Sequence, residues 1–137
     1  MPDLSPTPLA RSILAEISAA LARFCGVGEP AAIDLRSLPL SDHDRATLDA
    51  ALGRGGVEAV VNAGGESELW ETSYAGVWWT RHFDGAGRVV AERIEITAVP
   101  DMLPSHGSDI LAAAERMRLD LQSTLPAGGQ EELTHAL

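Results

Sequence analysis

From position 9 the apolar residues recur at helical spacing. Leu9, Ile13, Leu14, Ile17, Leu21 and Phe24 fall in one stripe, while Arg11, Ser12, Glu16 and Arg23 lie outside it. This pattern predicts a first helix after a loose, proline-rich start over residues 1–8. Gly26 and Gly28 close it and Pro30 bars its return. Ile33-Asp34-Leu35-Arg36-Ser37-Leu38 then alternates apolar and polar, the mark of an extended segment, and Pro39 keeps Leu38 out of helical conformation. Ser41 is expected to cap a second helix reaching about Leu52. Asp42 and Asp44 sit at the positive end of its dipole, and Leu48, Ala51 and Leu52 turn to the core. Gly53, Gly55 and Gly56 stop it.

Beyond Gly56 the period changes to two. Four strands are predicted, over Val57–Asn62, Glu66–Thr72, Val77–Phe83 and Arg88–Thr97. They are joined by Ala63-Gly64-Gly65, Ser73-Tyr74-Ala75-Gly76 and Asp84-Gly85-Ala86-Gly87, loops short enough only for antiparallel neighbours. A turn-rich exit, Val99 to Pro104, leads to a third helix capped by Ser108, with Ile110, Ala114, Met117 and Leu121 on one stripe and Pro126-Ala127-Gly128-Gly129 at its end. The last residues are polar and expected to fray. This order predicts an α+β fold: a four-stranded antiparallel meander with two to three helices packed on one face, because each amphipathic stripe must find an apolar partner. The expectation is one domain over 1–137, its core about 9–125.

Composition narrows the partners. A net charge of −10 repels phosphate backbones and anionic membrane surfaces, and no basic stripe offsets it. Nucleic acid and membrane insertion are therefore not expected. The single cysteine, Cys25, forbids an internal disulfide framework and makes a reducing compartment the default. No basic segment followed by an apolar run opens the chain, and no stretch is apolar for long enough to span a bilayer. The expected location is the cytoplasm.

No pattern of catalytic chemistry emerges. Cys25, His43, His82, His106 and His135 are scattered, without the close pairs of a zinc or iron–sulfur ligand set. Gly53-Arg54-Gly55-Gly56 lacks a lysine and precedes a strand, so it is no phosphate loop, and there is no Gly-x-Ser-x-Gly elbow. No catalytic residue, metal ligand or cofactor is assigned. His82 beside Glu92 or Glu95 offers a general base with an orienting carboxylate, which leaves a small enzyme as one alternative. The plainer reading is a half-exposed strand histidine with a polar neighbour. Cys25 is expected to be a buried or half-buried small residue rather than a nucleophile.

The tryptophans are more informative. In the second strand Glu66, Glu68, Trp70 and Thr72 share a face, opposite Leu69. In the third, Val77, Trp79, Arg81 and Phe83 oppose Trp78, Thr80 and His82. In the fourth, Val90, Ile94 and Ile96 read as core-facing, with Ala91, Arg93 and Glu95 on the other side. At least one tryptophan must then lie off the helix-covered face among charged residues. Tryptophan and arginine are the residues enriched at interface anchors. Trp70, Trp78, Trp79, Arg81, His82, Arg93 and Glu95 are the candidate protein-binding residues. Trp78 and Arg93 are expected to form an exposed pair that carries binding and contributes little to stability. The competing reading makes these tryptophans ordinary core, covered by the first helix or the tail.

Two stretches carry a resemblance. One is Ile33-Asp34-Leu35-Arg36-Ser37-Leu38-Pro39-Leu40-Ser41. The other runs from Glu71-Thr72 through Gly76-Val77-Trp78-Trp79-Thr80-Arg81-His82-Phe83-Asp84 to Val90-Ala91-Glu92-Arg93-Ile94-Glu95-Ile96 and Val99-Pro100. Over about residues 31 to 104 the chain resembles the conserved region of the HupH/HyaF family of hydrogenase expression and formation proteins. The resemblance implies an accessory or chaperone role in maturation of [NiFe] uptake hydrogenases. The implied partner is a hydrogenase subunit, the iron–sulfur small subunit before export, or another maturation factor. It implies no enzymatic activity and no bound metal. Family members are implied to be longer and to carry the region more than once, so this single copy is expected to form a homodimer. An oligomerising regulatory module without a client is the remaining alternative. The scattered cysteine and histidines make one prediction directly: elemental analysis of the purified protein should find no stoichiometric zinc or iron, and about one metal per chain would refute this reading.

Overall fold

A computed structural model describes residues 3–62 and 64–124. The chain divides into two units, Met1–Asp101 and Met102–Leu137. The first holds helix α1 (Pro8–Val27), strand β1 (Ala31–Asp34), a 3-10 turn (Leu35–Ser37), helix α2 (Asp42–Leu52), and strands β2 (Glu58–Asn62), β3 (Glu66–Glu71), β4 (Val77–Phe83) and β5 (Val89–Ile96). The second holds helix α3 (Gly107–Thr124).

Local chemistry sets the helix ends. Thr7 caps α1 by accepting from the Ala10 N–H, with Pro8 at the first helical position, where its missing donor costs nothing. Gly28, at φ 71°, closes the helix in the left-handed conformation that favours glycine. Ser41 and Asp44 form a reciprocal capping box at the start of α2. α3 begins at Gly107, one residue before the expected Ser108 cap, and keeps Ile110, Met117 and Leu121 at helical spacing. Its expected stop at Pro126–Gly129 and the polar end lie outside the described residues. No described helix is long and apolar enough to cross a membrane.

The sheet has five strands, in the order β1-β5-β4-β3-β2, all pairs antiparallel. The predicted meander is present as β2 to β5. The fifth strand is a correction: the extended segment around Ile33 joins the sheet beside β5, with Ile33 opposite Ile94. It ends where the Asp34 side chain accepts from the Arg36 N–H and turns the backbone into the 3-10 helix.

α1 and α2 cover one face of this sheet. Ala10, Ile13, Ile17 and Ala20 of α1 and Leu48 and Leu52 of α2 pack on Ile33, Trp70, Val77, Trp79, Ile94 and Ile96. Leu9, Leu14, Leu21 and Phe24 are only partly buried, so the centre of the α1 stripe runs through two alanines, which let the helix approach closely. Val90, expected in the core, is 55% exposed. The ladder shifts between His82 and Phe83: His82 pairs with Ala91 and Phe83 with Val89, leaving Val90 as the extra residue of a bulge. Cys25 is exposed rather than buried, since it lies off the apolar stripe of α1.

The connection from α2 to β2 passes close against the end of β3. The Gly55 N–H donates to the Glu71 carbonyl (2.8 Å), and a Cβ on Gly55 would stand 2.7 Å from the Thr72 carbonyl oxygen. Backbone cannot yield as a flexible side chain can. Gly56 has open space around it and no positive φ. Gly55→Ala should therefore lower unfolding free energy by roughly 1–3 kcal/mol. Gly56→Ala should be neutral or slightly stabilising, by at most about 1 kcal/mol. Urea unfolding of the two variants checks the contrast.

Candidate protein-binding site

Antiparallel register places side chains of β3, β4 and β5 in rows across the helix-covered face. One row is Trp70, Trp79 and Ile94; the next is Glu68, Arg81 and Glu92. The apolar row lies under the helices. Beyond them the charged row meets the N-terminal half of α2. Trp70 and Trp79 stack with ring centroids 5.6 Å apart and planes 17° from parallel. The Arg54 guanidinium lies 3.9 Å above the Trp70 ring and that of Arg81 lies 5.2 Å from it.

Glu92 joins these parts. Its carboxylate is buried and accepts from Trp79 Nε1 (2.8 Å) and Arg81 Nε (2.9 Å), and pairs with Arg45 Nη1. Arg81 also approaches Glu68, at 3.9 Å. Burial alone would raise the Glu92 pKa. The hydrogen bonds from Trp79, Arg45 and Arg81 outweigh it and hold the carboxyl below its ordinary value of 4.5. Arg45 and Arg81 keep about a third of their side-chain surface in water, 32% and 30%. They line a shallow cleft of about 240 Å³ with Asp42, Ala46, Asp49 and Trp79. The cleft thus presents guanidinium donors and acidic acceptors beside the Trp79 indole, which the Trp70 ring backs. Such a surface suits a polar segment of another macromolecule. A separate apolar pocket of about 300 Å³ lies between α1 and α2, with Leu14, Leu21, Leu52 and Tyr74 in its walls.

The opposite face carries Trp78, Thr80 and His82 of β4 and Arg93 and Glu95 of β5. Trp78 lies opposite Glu95, and Arg93 lies opposite Thr80, one step along the same face. The alternation expected from the sequence is therefore present, but the expected exposed indole is not. Trp78 is 4% exposed, Trp70 3% and Trp79 2%. Leu69 and Thr80 beside Trp78 are buried as well. Neither Trp70 Nε1 nor Trp78 Nε1 has an acceptor among the described residues. Arg93 remains exposed and lies 3.7 Å from Glu95. His82 Nδ1 is 2.7 Å from Ser67 Oγ.

This geometry puts the sheet between the proposed general base and Glu92, while Glu95, on the His82 face, lies opposite Trp78, four residues along β4. His82 and Glu92 are on opposite faces of the sheet, because one pairs with Ala91 and the other with Arg81. Ser67, not a carboxylate, is the neighbour of His82. Among the described residues no group of histidine, cysteine, aspartate and glutamate could hold a metal ion.

Residues 9–123 match the family described as HupH hydrogenase expression protein, C-terminal conserved region. The chain belongs to this family. Hydrogenase expression protein HupH from Thiobacillus denitrificans ATCC 25259 has the same fold, with a TM-score of 0.81 and 35% sequence identity over 86% of this chain and 98% of that one. Hydrogenase expression/formation protein HoxQ of Azotobacter vinelandii is 32% identical over 89 residues, which is 65% of this chain and 31% of that protein. Hydrogenase expression/formation protein HupH of Rhodobacter capsulatus is 26% identical over 114 residues, 83% of this chain and 41% of that protein. The chain thus spans about a third of the length of the curated relatives it matches.

Arg45 of the cleft, Arg54 over the Trp70 ring and, outside the enzyme alternative, Glu92 were not singled out as binding residues. Arg45 carried a signal. It falls at i, i+3 and i+7 with Leu48 and Leu52, so it is a cation on the core-facing stripe of α2, and such a cation requires a buried acid.

Glu92→Gln removes that acid. It should cost roughly 2–3 kcal/mol at neutral pH, less than a fully buried pair because both arginines reach water. Since the folded pKa of Glu92 is lowered, its stabilisation is complete above the unfolded value near 4.5 and is lost as pH falls through the folded value. The variant should therefore lose stability less steeply below pH 4.5 than the parent. Asp44 and Asp84, also held low chiefly by the backbone N–H groups of Ser41 and Arg88, still titrate, so the slope should diminish without vanishing. Urea midpoints measured across that pH range decide it.

Proposed function

We propose that this protein is an accessory chaperone of [NiFe] uptake hydrogenase maturation, acting in the cytoplasm by binding the iron–sulfur small subunit before export, and not as an enzyme. The observation that carries the reading is the family match over residues 9–123, joined by relatives whose names tie them to hydrogenase expression and formation. The HyaF protein of Escherichia coli K12, described as a hydrogenase-1 operon protein, is 29% identical over 110 residues, 80% of this chain. The separation of His82 from Glu92 favours binding over catalysis.

The surface proposed for the client is the cleft edged by Arg81 and Arg45, with Trp79 in its lining and Trp70 stacked against Trp79. Guanidinium groups already partly desolvated and fixed by Glu92 lose little freedom on binding, which favours an anchor. The second candidate surface is the opposite face, with Arg93, Glu95 and His82 at its accessible positions and Trp78 as packing beneath.

Capture on an immobilised hydrogenase small-subunit precursor tests both levels. The parent chain should be retained. Arg81→Ala should weaken binding per folded molecule by about 2 kcal/mol, and Arg93→Ala should leave it within about 0.5 kcal/mol. Urea unfolding supplies the folded fraction. Loss with Arg93→Ala alone would move the surface to the other face. A parent chain that does not bind would remove the small subunit as client.

A further inference from the structure

The two edges of the sheet are built differently. At the β1 edge, Pro30 precedes a strand of four residues and the 3-10 turn ends it. Arg36 then donates from Nη1 to the Val89 carbonyl (2.7 Å), closing the stretch of β5 that β1 does not reach. Proline, short length and a covering cation are the devices that keep an edge from pairing with another chain.

The β2 edge, five residues long, lacks the proline, and among the described residues no side chain closes its outward backbone groups. Glu58-Ala59-Val60-Val61-Asn62 contains no proline and no lysine, and β2 pairs with β3 alone. The Glu71 N–H donates to the Val57 carbonyl (3.0 Å). By the alternation of an antiparallel ladder, Val57, Ala59 and Val61 therefore turn their backbone groups toward β3. Glu58, Val60 and Asn62 turn theirs outward. The side chains of these same residues lie on the helix side of the sheet, beyond the reach of α1 and α2. Val60 is 61% exposed there.

We propose that this edge is an interface with a second copy of the chain, joined by antiparallel pairing of β2 with itself about a two-fold axis at Val60. That register pairs all five residues of the strand. It sets outward-facing groups against outward-facing groups: Val60 against the partner's Val60, Glu58 against the partner's Asn62, and the reverse. Each pair exchanges two backbone hydrogen bonds. No glutamate meets its own copy, whereas a slip that centred the axis on Glu58 would put like charges opposite each other. Glu58 is further neutralised by Arg54, 3.0 Å away. The two exposed valines meet at the axis and cover one another. The result is one continuous sheet with the helix layers of both copies on the same side. This assembly is independent of which hydrogenase component the chain meets.

The test uses the full chain. Light scattering after size exclusion, from millimolar to low micromolar protein, should give twice the 14.5 kDa chain mass at high concentration. Val60→Lys places two ammonium groups at the axis through an exposed position and should give the single-chain mass at the same concentrations, with the unfolding midpoint of the diluted, single-chain parent. Amide exchange supplies a readout that needs no variant. The N–H groups of Glu58, Val60 and Asn62 should exchange at least about tenfold more slowly in the associated parent than at dilution. A single-chain mass at every concentration would overturn the proposal. So would a dimer that survives Val60→Lys with those amides unprotected, which would mean that another surface associates. If the chain stays monomeric and a client peptide protects those amides, the edge belongs to the client and the two-fold pairing is wrong.

Discussion

A carboxylate taken out of water must be met by donors, and in this protein that requirement organises the junction between sheet and helix. Glu92 sits on β5, Arg81 on the neighbouring strand, Trp79 two residues before Arg81, and Arg45 on α2. One acid thus fixes an indole, the strand beside it and the helix above. Replacing any single donor would leave the buried charge with two partners instead of three, at a cost in stability. The apolar core under α1 and α2 supplies the bulk of the burial. Glu92 instead ties α2 to β4 and β5 through Arg45, Arg81 and Trp79.

The same cluster explains how a polar, rigid-walled cleft arises in a chain with so few aromatic residues. Trp70 and Trp79 are buried, yet their stack is bordered by cations that are not. The indoles make the surface rigid from below and the guanidinium groups make it polar from above. Trp78 lies on the other face, where Leu69 and Thr80 are buried too. Adjacent tryptophans in one strand therefore serve two separate layers.

Much of the fold was legible because the period changes sharply after Gly56. The meander follows from alternation and from loops too short for anything but hairpins, and α2 from a serine with an aspartate three residues on. β1 was harder to read, since four residues with one buried side chain leave almost no pattern to count. Val90 was misplaced because a bulge breaks the alternation at a point that only pairing reveals. Trp70 looked solvent-facing beside Glu66 and Glu68. Its face is instead completed by Arg54 and Arg81, which come from a loop and a strand that periodicity cannot bring together. Glu92 appeared only as a partner for His82, because strand alternation sets the face of each residue but not which distant arginine will arrive there. The family resemblance was legible from the β4–β5 hairpin, where the Trp78-Trp79 pair and the spaced charges of β5 give a pattern more specific than any helix here.

The stack of Trp70 on Trp79 has an optical consequence. Two indole transition dipoles held at fixed distance and angle couple, so their circular dichroism carries a signed pair of bands rather than two independent weak ones. A guanidinium resting on one ring shifts that ring's emission. The cleft therefore contains its own chromophore. A segment that displaces Arg81 or rotates Trp79 would alter a signal that the solitary Trp78 does not produce, and occupancy of this surface becomes readable in the unlabelled protein.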